Sequence, residues 1–457
     1  MAFAPHHSAS PKVGRTGARR ALTPVAALCC LLLLLPAQLV IAQPTTTDSA
    51  TADSVTAGNA APARASARPV PIPQPAPSLT TGAARYTDRF TTYALHDMAL
   101  AAGAPAGHGA VLVQWTRDGY AHGGRLRLGV NTDTLFLSGE EFTFADGLIV
   151  WSGGLRLQAL FAGVLPIFHQ AGIRRPEYGF WASQAELHAR LGVRPAPGHF
   201  IDLTVYGRQY LFQRRAGVTD PLLVLPPSTL TLEPRLAWTW WQPGLDPSLW
   251  EDHRLWWRVD GYALGVALGA NIRNRAREWG YLRVPRDEQP PWLQRNDPDT
   301  VALLLSGWAR AGRQVHEALR LQTRLEWGFA RGVDDLDRWR VGGLNPWVVP
   351  LPGAGWPAFL ADAYAYLDVS AHVRVAREVE AGLVLATTTL RDPERVGARD
   401  WGATPSVTAF LDARLGPWQL DARLGYALPS PWQAERPHVG LLLGAGRAWQ
   451  RRAASPG

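Results

Sequence analysis

The sequence predicts an all-β fold, a transmembrane antiparallel β-barrel of about 14–16 strands that follows a signal peptide and a disordered linker. Three observations lead to this prediction. Long segments alternate apolar and polar residues, the amino terminus reads as a secretion signal, and many tryptophans lie near segment ends. No long stretch has the periodicity of a helix.

The clearest of these segments is a hairpin within residues 361–390. From Ala363 to Val375 every second residue is apolar, and the residues between them are Tyr, Asp, Ser, His and Arg. A period of two is that of a β-strand, because successive side chains point to opposite faces. The pair Arg377-Glu378 predicts a tight turn. Strands of soluble proteins average about five or six residues, whereas a membrane-crossing strand needs about 9–11, so the length favours a barrel.

Similar segments recur throughout residues 85–449, and 407–415, 418–426 and 439–445 are the last three. A soluble sandwich or propeller would explain any one alternating segment, but not so many long ones in a single domain. The chain has 20 tryptophans, and those near segment ends predict aromatic girdles at the two membrane interfaces. The girdle residues include Trp151, Trp308, Trp327 and Trp418. Residues 450–457 are predicted to be a short tail.

Residues 1–42 are predicted to be a signal peptide. Four basic residues precede an apolar run over 21–42, which ends in Ala42 before Gln43. A basic region, an apolar region and a small-residue cleavage site are typical of secretion signals. An uncleaved membrane anchor is the alternative, since about 20 apolar residues can span a bilayer, but Pro24 and Pro36 interrupt the run.

Residues 43–84 are rich in Thr, Ala and Pro and have few large apolar side chains. Such a segment cannot bury enough surface to offset its conformational entropy, so we predict a disordered linker. The only cysteines, Cys29 and Cys30, lie in the signal peptide, which leaves the rest of the chain without disulfides or thiolate metal ligands.

Charge argues against nucleic acid as a partner. The formal net charge is +8, and half of it lies in the four basic residues of the signal peptide. The remaining balance is mild and has no recognisable nucleic-acid-binding motif. The expected partners are outer-membrane lipid and the barrel-assembly machinery, the expected location is the bacterial outer membrane, and the oligomeric state is left open. No cofactor is expected.

The polar positions of the predicted strands carry charges of both signs, which a transmembrane barrel accommodates in its lumen. They would either cross-link into a plug or line a water-filled pore, and a slight excess of arginine suggests a weak anion preference. The residues predicted to line the lumen are Glu186, Arg190, Arg235, Arg258, Arg320, Arg324, Glu326, Asp368, His372, Arg374, Asp412, Arg414, Asp421 and Arg423.

Long connectors are predicted at 214–227, 274–300 and 331–359, and they should be extracellular because periplasmic turns are short. In the third connector, Gly342-Gly343 and Pro352-Gly353 precede an acidic residue and the alternating strand. This layout resembles the bacterial surface antigen superfamily of assembly and translocation barrels. The closing segments around Trp418 resemble it too, so the resemblance covers the carboxy-terminal quarter.

The resemblance implies that the third connector folds inward and that the chain takes part in translocation. The Arg-Gly-Tyr tip expected on such a loop is replaced by 350–355, which speaks against polypeptide assembly. Without the resemblance, the same glycines and prolines predict an ordinary constrained extracellular loop.

Three functions remain open: a pore or translocation-related channel, a membrane-embedded lipid hydrolase, and a structural or adhesive surface protein acting through its loops. Ser183 and Ser370 lie near His188 and His372, but neighbours in sequence do not define a catalytic geometry. We therefore expect these histidines to line the lumen and the protein not to be an enzyme.

A calcium site is the alternative for Asp334, Asp335 and Asp337, whose carboxylates suit a hard cation. The spacing lacks the glycine and the distal glutamate of a calcium loop. A solvated loop is the expectation, so no metal, cofactor or catalytic residue is predicted.

Overall fold

A computed structural model of the chain describes residues 87–100, 106–119, 124–132, 134–145, 147–158, 169–170, 173–174, 179–242, 261–283, 295–344, 349–354, 359–391, 401–429 and 438–452. The predicted signal peptide and linker lie outside these residues, and so does Arg258.

The described residues form β-strands joined by turns and loops. The strands are β1 (Thr87–Ala99), β2 (Ala106–Asp118), β3 (Arg125–Asn131), β4 (Thr134–Phe144), β5 (Ile149–Gln158), β6 (His169–Gln170), β7 (Ile173–Arg174), β8 (Trp181–Val193), β9 (His199–Gln213), β10 (Thr229–Trp241), β11 (Gly261–Arg273), β12 (Trp279–Gly280), β13 (Arg295–Asn296), β14 (Val301–His316), β15 (Leu319–Arg331), β16 (Trp339–Val341), β17 (Phe359–Ala361), β18 (Ala363–Ala376), β19 (Val379–Arg391), β20 (Trp401–Leu415), β21 (Trp418–Ala427) and β22 (His438–Arg452). No helix among these residues has the length and hydropathy needed to cross a membrane.

Sixteen of the strands form a closed antiparallel barrel in the order β1-β2-β3-β4-β5-β8-β9-β10-β11-β14-β15-β18-β19-β20-β21-β22. The sheet closes because β1 pairs with β22, from Thr87 opposite Arg452 to Ala99 opposite Gly440. The prediction of an all-β barrel of about 14–16 strands is confirmed at its upper limit. The barrel ends at Arg452 rather than at the predicted residue 449, so the first part of the predicted tail is strand.

The two ends of the barrel differ in most of their connections. One end, which we call the turn end, carries the two-residue turns 317–318, 377–378 and 416–417. The other, the loop end, carries the connections 214–228, 274–300 and 332–362, to which the three predicted long connectors correspond. Successive antiparallel strands place all three at the same end. The exceptions are the short connection 132–133 at the loop end and the long connection 242–260 at the turn end. Short turns are typical of the periplasmic side, so we expect the loop end to face the exterior of the cell.

The β18–β19 hairpin has one apolar exposed face and one polar buried face. Val369 and Leu385 are 52% and 63% exposed, whereas Asp368 and Ser370 are 8% and 6% exposed. The alternation and the turn at 377–378 are those predicted from the sequence. Because the sheet closes on itself, the exposed apolar side chains are the ones that meet lipid.

Aromatic side chains gather on the outer surface near the turn end. The rings of Phe90 and Trp449 lie 5.6 Å apart, and the Arg447 guanidinium lies 5.0 Å from the centre of the Trp418 ring and 4.6 Å from that of Trp449. Arg447 lies on the outer face, where the two indoles cover its charge at the membrane interface. The girdle assignment is wrong for Trp308, which packs on the inner face against Gly265, its partner in register.

The packing of Gly382 on β19 predicts a sensitive position. A Cβ atom there would lie 2.5 Å from the Phe410 ring, with the Ala371 carbonyl closer still. We expect Gly382→Ala to lower the free energy of unfolding by about 1–3 kcal/mol, the usual cost of overpacking. The measurement is the urea midpoint of the barrel refolded into lipid vesicles. Gly207→Ala on β9 is the control, because nothing lies within 4 Å of its Cβ position. Equal midpoints for the two variants would contradict this packing.

Candidate functional site: the barrel interior and its inserted loop

Ion pairs connect neighbouring strands on the buried face of the barrel. Glu186 is 2% exposed and accepts a hydrogen bond from Arg208 Nε at 2.6 Å. Arg208 also pairs with Glu233 on the next strand, and Arg190 Nε lies 3.2 Å from Asp202 Oδ1. The register sets Glu186 opposite Arg208, so the pair lies on one face at cross-strand distance. A buried carboxylate needs such partners, because an isolated charge in the wall would be costly.

A second group of charges lies on β14, β15 and β18. Glu326 accepts hydrogen bonds from Arg310 Nη2 at 2.9 Å and from Arg324 Nε and Nη2 at 2.7 Å each. Arg324 stands opposite Asp368 in the β15–β18 register. This group and the Glu186 group give the buried face paired charges in two separate parts of the wall.

The structure separates the predicted lumen residues into three sets. Five are buried and six are half-buried on the inner face, while two are exposed at the turn end. The buried residues are Glu186, Asp368, His372, Asp412 and Asp421. The half-buried residues are Arg190, Arg235, Arg320, Arg324, Glu326 and Arg423.

The two exposed residues of the set are Arg374 and Arg414. Their amides bond to carbonyls of the adjacent turns, Arg374 N to Ala318 O at 2.7 Å and Arg414 N to Glu378 O at 2.8 Å. Both therefore stand at the mouth of the barrel rather than along its inner wall. The alternation alone could not reveal this, because parity does not locate the end of a strand.

The segment 339–361, which we call the inserted loop, lies in the connection between β15 and β18, and the structure describes residues 339–344, 349–354 and 359–361 of it. It begins and ends with the paired strands β16 and β17. Between them Gly343 and Leu351 exchange backbone hydrogen bonds, each of 3.0 Å. Gly343 and Gly353 have φ of +79° and +74°, a backbone region that glycine enters without steric cost. The predicted glycine turn therefore has a conformational reason.

The inserted loop folds into the barrel. Leu344 N donates to Asp97 Oδ2 on β1 at 2.8 Å, and Thr388 Oγ1 on β19 donates to Pro350 O at 2.7 Å. A Cβ on Gly425 of β21 would lie 2.6 Å from the Pro352 Cβ. The inward course implied by the family resemblance is thus confirmed, and an ordinary extracellular loop is not what the chain forms.

Apolar packing holds the inserted loop in place. Its buried side chains pack against wall residues from β18, β19 and β21. The cluster comprises Val341, Val349, Leu351, Ala354, Phe359, Ala361, Tyr364, Tyr366, Leu390 and Ala427. Since a fully buried large apolar side chain contributes about 1.5–3 kcal/mol, this contact is a main part of the molecule's core.

A buried ion-pair cluster joins the connections at the loop end. Arg273 Nη1 and Nη2 donate to Asp334 at 3.0 and 3.1 Å, and Arg273 also bonds Asp337. Trp279 Nε1 donates to Asp334 Oδ2 at 2.9 Å, and Asn296 Nδ2 donates to Asp335 Oδ2 at 2.9 Å. The expected solvated loop is therefore a packed one.

Burial shapes the protonation of these loop carboxyls. It raises the pKa of Asp335, against the opposing charge of Arg338. It also raises the pKa of Asp337, with the nearby Asp334 adding to the rise and Arg273 opposing it. Among the described residues, no group of three or more His, Cys, Asp or Glu side chains is arranged to hold a metal ion.

No protein-family model matches the sequence, and no curated protein is significantly similar to it. Solved structures do match. BamA from Haemophilus ducreyi lacking POTRA domains 1-3 is 9% identical with a TM-score of 0.50, and the match covers 79% of this chain and 70% of that one. CdiB from Acinetobacter baumannii is 10% identical with a TM-score of 0.45, and the match covers 79% of this chain and 60% of that one.

Pseudomonas putida OprB is 11% identical, with coverage of 81% of this chain and 94% of that one and a TM-score of 0.41. At these identities the likeness concerns the fold alone. The chain has the fold of bacterial outer-membrane β-barrels, which confirms the predicted fold. It spans 60% of the length of CdiB.

The loop-end cluster gives a prediction. Arg273→Ala leaves the buried carboxylates of Asp334 and Asp337 without their guanidinium, which should destabilise loop docking by about 3–5 kcal/mol. We expect faster protease cleavage within 332–338 of the folded barrel, read by mass spectrometry. The control is Arg277→Ala, an exposed arginine of a neighbouring connection. Unchanged cleavage in the Arg273 variant would mean that the cluster does not hold these loops.

Proposed function

We propose that this protein is an outer-membrane channel with a charged lumen that the inserted loop closes. The observation that carries the proposal is the course of the described parts of the inserted loop, which turn inward and bond to β1 and β19. A segment in this position blocks the interior without being part of the wall. The barrel can therefore open by movement of the loop while its backbone hydrogen bonds remain intact.

The cavity beneath the loop supports this proposal. Its volume is about 110 Å³, and charged and polar wall residues line it together with the apolar Ala311, Val384 and Phe410 and with Leu344 and Pro350 of the inserted loop. A cavity of this volume with charged groups in its wall has room for several waters. Hydrated, charged walls are what a path for polar solutes requires.

The two alternatives differ in their support. A lipid hydrolase needs a nucleophile that faces lipid, but Ser370 and His372 are on the buried face, and Ser183 lies on the opposite face of β8 from His188. A surface protein acting through its loops has one observation in its favour, the rigid cluster around Arg273. It remains the second candidate. Outer-membrane lipid surrounds the barrel, and the proposal keeps the barrel-assembly machinery as the partner of biogenesis.

Planar-bilayer recording tests the channel. Replacing residues 342–358 by a short Gly-Ser linker should increase the single-channel conductance several-fold, because the blocking segment is gone. The cysteine pair Pro352→Cys with Gly425→Cys should do the opposite under oxidising conditions. A shift of about 1 Å brings their Cβ atoms to the separation of 3.5–4.5 Å that a disulfide needs.

The variant with the engineered cysteine pair has its own controls. A reducing agent should restore the openings of the paired variant, and the single Pro352→Cys variant should behave like wild type under both conditions. The single Gly425→Cys variant adds a Cβ that would lie 2.6 Å from the Pro352 Cβ, so its openings are compared only between oxidising and reducing conditions, where they should not differ. The described residues contain no cysteine, so the engineered pair has no competing thiol within them. A loop-deleted barrel that inserts into the bilayer without conducting ions would contradict the channel proposal and favour the surface-protein alternative.

Charge selectivity is a further expectation. The arginine excess on the inner face should give the loop-deleted channel a weak anion preference, measured as the reversal potential in a salt gradient. Because many of the arginines are paired with carboxylates, the preference should be small. Cation preference would contradict the assignment of these arginines to the conducting path.

A further inference from the structure

Three buried side chains near the turn end form a relay. The Ser370 Oγ lies 3.0 Å from His372 Nε2, and His372 Nδ1 lies 2.7 Å from Glu380 Oε1. All three are less than 10% exposed. This is the order of a hydroxyl, an imidazole and a carboxylate in hydrolases that use an activated serine.

The hairpin produces this arrangement locally. Ser370 and His372 are two residues apart on β18, so they share one face. Glu380 follows the turn on β19 and stands diagonally across from His372, whose partner in register is Gly382. The bare backbone of Gly382 leaves room for the Phe410 ring, which lies 4.7 Å from the imidazole. The imidazole is thus held by packing as well as by hydrogen bonds.

The chemistry of the three groups sets the direction of the bonds. An ionised Glu380 can only accept, so Nδ1 of His372 carries the proton and donates it. Nε2 then has a free lone pair and accepts the hydrogen bond of the Ser370 hydroxyl. This is the tautomer that a general base needs in order to take a proton from serine.

A fourth residue completes the site. Gln322 on β15 stands opposite Ser370 in register, and both line the cavity beneath the inserted loop. Its Nε2 is buried and has no hydrogen-bond partner among the described residues. An unused amide donor beside a nucleophile is what a developing oxyanion requires. A histidine that served only to join Ser370 to Glu380 would need neither the cavity nor this donor.

The rest of the cavity indicates the substrate class. Arg310, Arg324 and Arg423 line it together with Asp368 and Asp412, so guanidinium groups outnumber carboxylates at the cavity wall and favour a ligand with negative charge. At about 110 Å³ it admits a short acyl group rather than a long lipid chain. Its position on the inner face makes it accessible from the aqueous interior and not from the bilayer.

We propose that this site hydrolyses short carboxylic esters that bear an anionic group, a departure from the expectation of a non-enzyme. Ser370 Oγ bonds to the acyl carbon while its proton passes to His372 Nε2, and Gln322 donates to the oxyanion. The ester C–O bond then breaks, and the proton moves from Nε2 to the leaving alcohol. Water attacks the acyl-serine, gives its proton to Nε2, and returns Ser370 and a free carboxylic acid.

The test uses the full barrel in detergent and mono-p-nitrophenyl succinate as the ester. Wild type should release p-nitrophenol and should be labelled by a fluorophosphonate probe at Ser370, located by mass spectrometry. Ser370→Ala should lose both the label and turnover. Gln322→Leu should keep the label site and lower kcat about 10²- to 10³-fold, the effect of removing one oxyanion donor. Glu380→Gln should lower kcat with the substrate KM little changed.

Ser183→Ala is the matched control and should leave turnover unchanged. Each variant is first checked for a folded barrel by its electrophoretic mobility before and after heating. The loop-deleted barrel is assayed in parallel, since the inserted loop borders the cavity. Absence of turnover and label in both wild-type and loop-deleted barrels would overturn the proposal, as would turnover that survives Ser370→Ala. Preference for p-nitrophenyl palmitate would overturn the substrate class.

Discussion

The pairing of β1 with β22 is the constraint on which the rest of the structure depends. In a bilayer every backbone N–H and C=O needs a protein partner, and an open sheet would leave two unpaired edges in lipid. The thirteen residue pairs from Thr87–Arg452 to Ala99–Gly440 remove those edges. Because the number of antiparallel strands is even, the start of β1 and the end of β22 lie at the same end of the barrel. Since the side-chain period is two, closure then assigns every residue of a strand to lipid or to the interior.

Closure creates an interior that the inward side chains must satisfy among themselves. Where the register sets opposite charges side by side, as at Glu186 and Arg208, the wall gains hydrogen-bonded pairs. The register also aligns Glu380, Asp412 and Asp421 across three neighbouring strands, where like charges oppose one another. The hydroxyl of Tyr93 donates to Asp421 in this row. Such a row costs stability in a sealed core, and it is easier to maintain where water reaches the wall.

The sequence alone carries the features that depend on period and on local turns. The alternation from Ala363 to Val375 predicts a strand and its faces, and Arg377-Glu378 predicts the turn that follows. Features that depend on contacts between distant residues are not readable in this way. Asp334 lies 61 residues from Arg273, and no local pattern marks the pair. The bulge between Arg374 and Ala376 shifts the β18–β19 register, and this shift places Glu380 next to His372. The spacing of Ser370 and His372 in the sequence predicts that these two share a face, but it does not reveal their carboxylate partner. Trp308 is predicted to lie in the aromatic girdle but lies on the inner face. A tryptophan near a strand end indicates a membrane interface only if its side chain is known to point outward.

If both proposals hold, the inserted loop links conduction to ester cleavage through the access of water to the cavity. While the loop lies against β1 and β19, the cavity around Ser370 is small and partly enclosed, and it has room for only a few waters, which would screen charges weakly. The hydrogen bonds of the relay and the donor of Gln322 are then at their strongest, because enclosure replaces mobile solvent by fixed dipoles. When the loop leaves, the same wall becomes a hydrated path, and the hydroxyl of Ser370 and the amide of Gln322 exchange their protein surroundings for solvent. In the two proposals, the closed barrel would be the form suited to ester cleavage and the open barrel the form suited to conduction, so a single loop movement would separate the two activities in time.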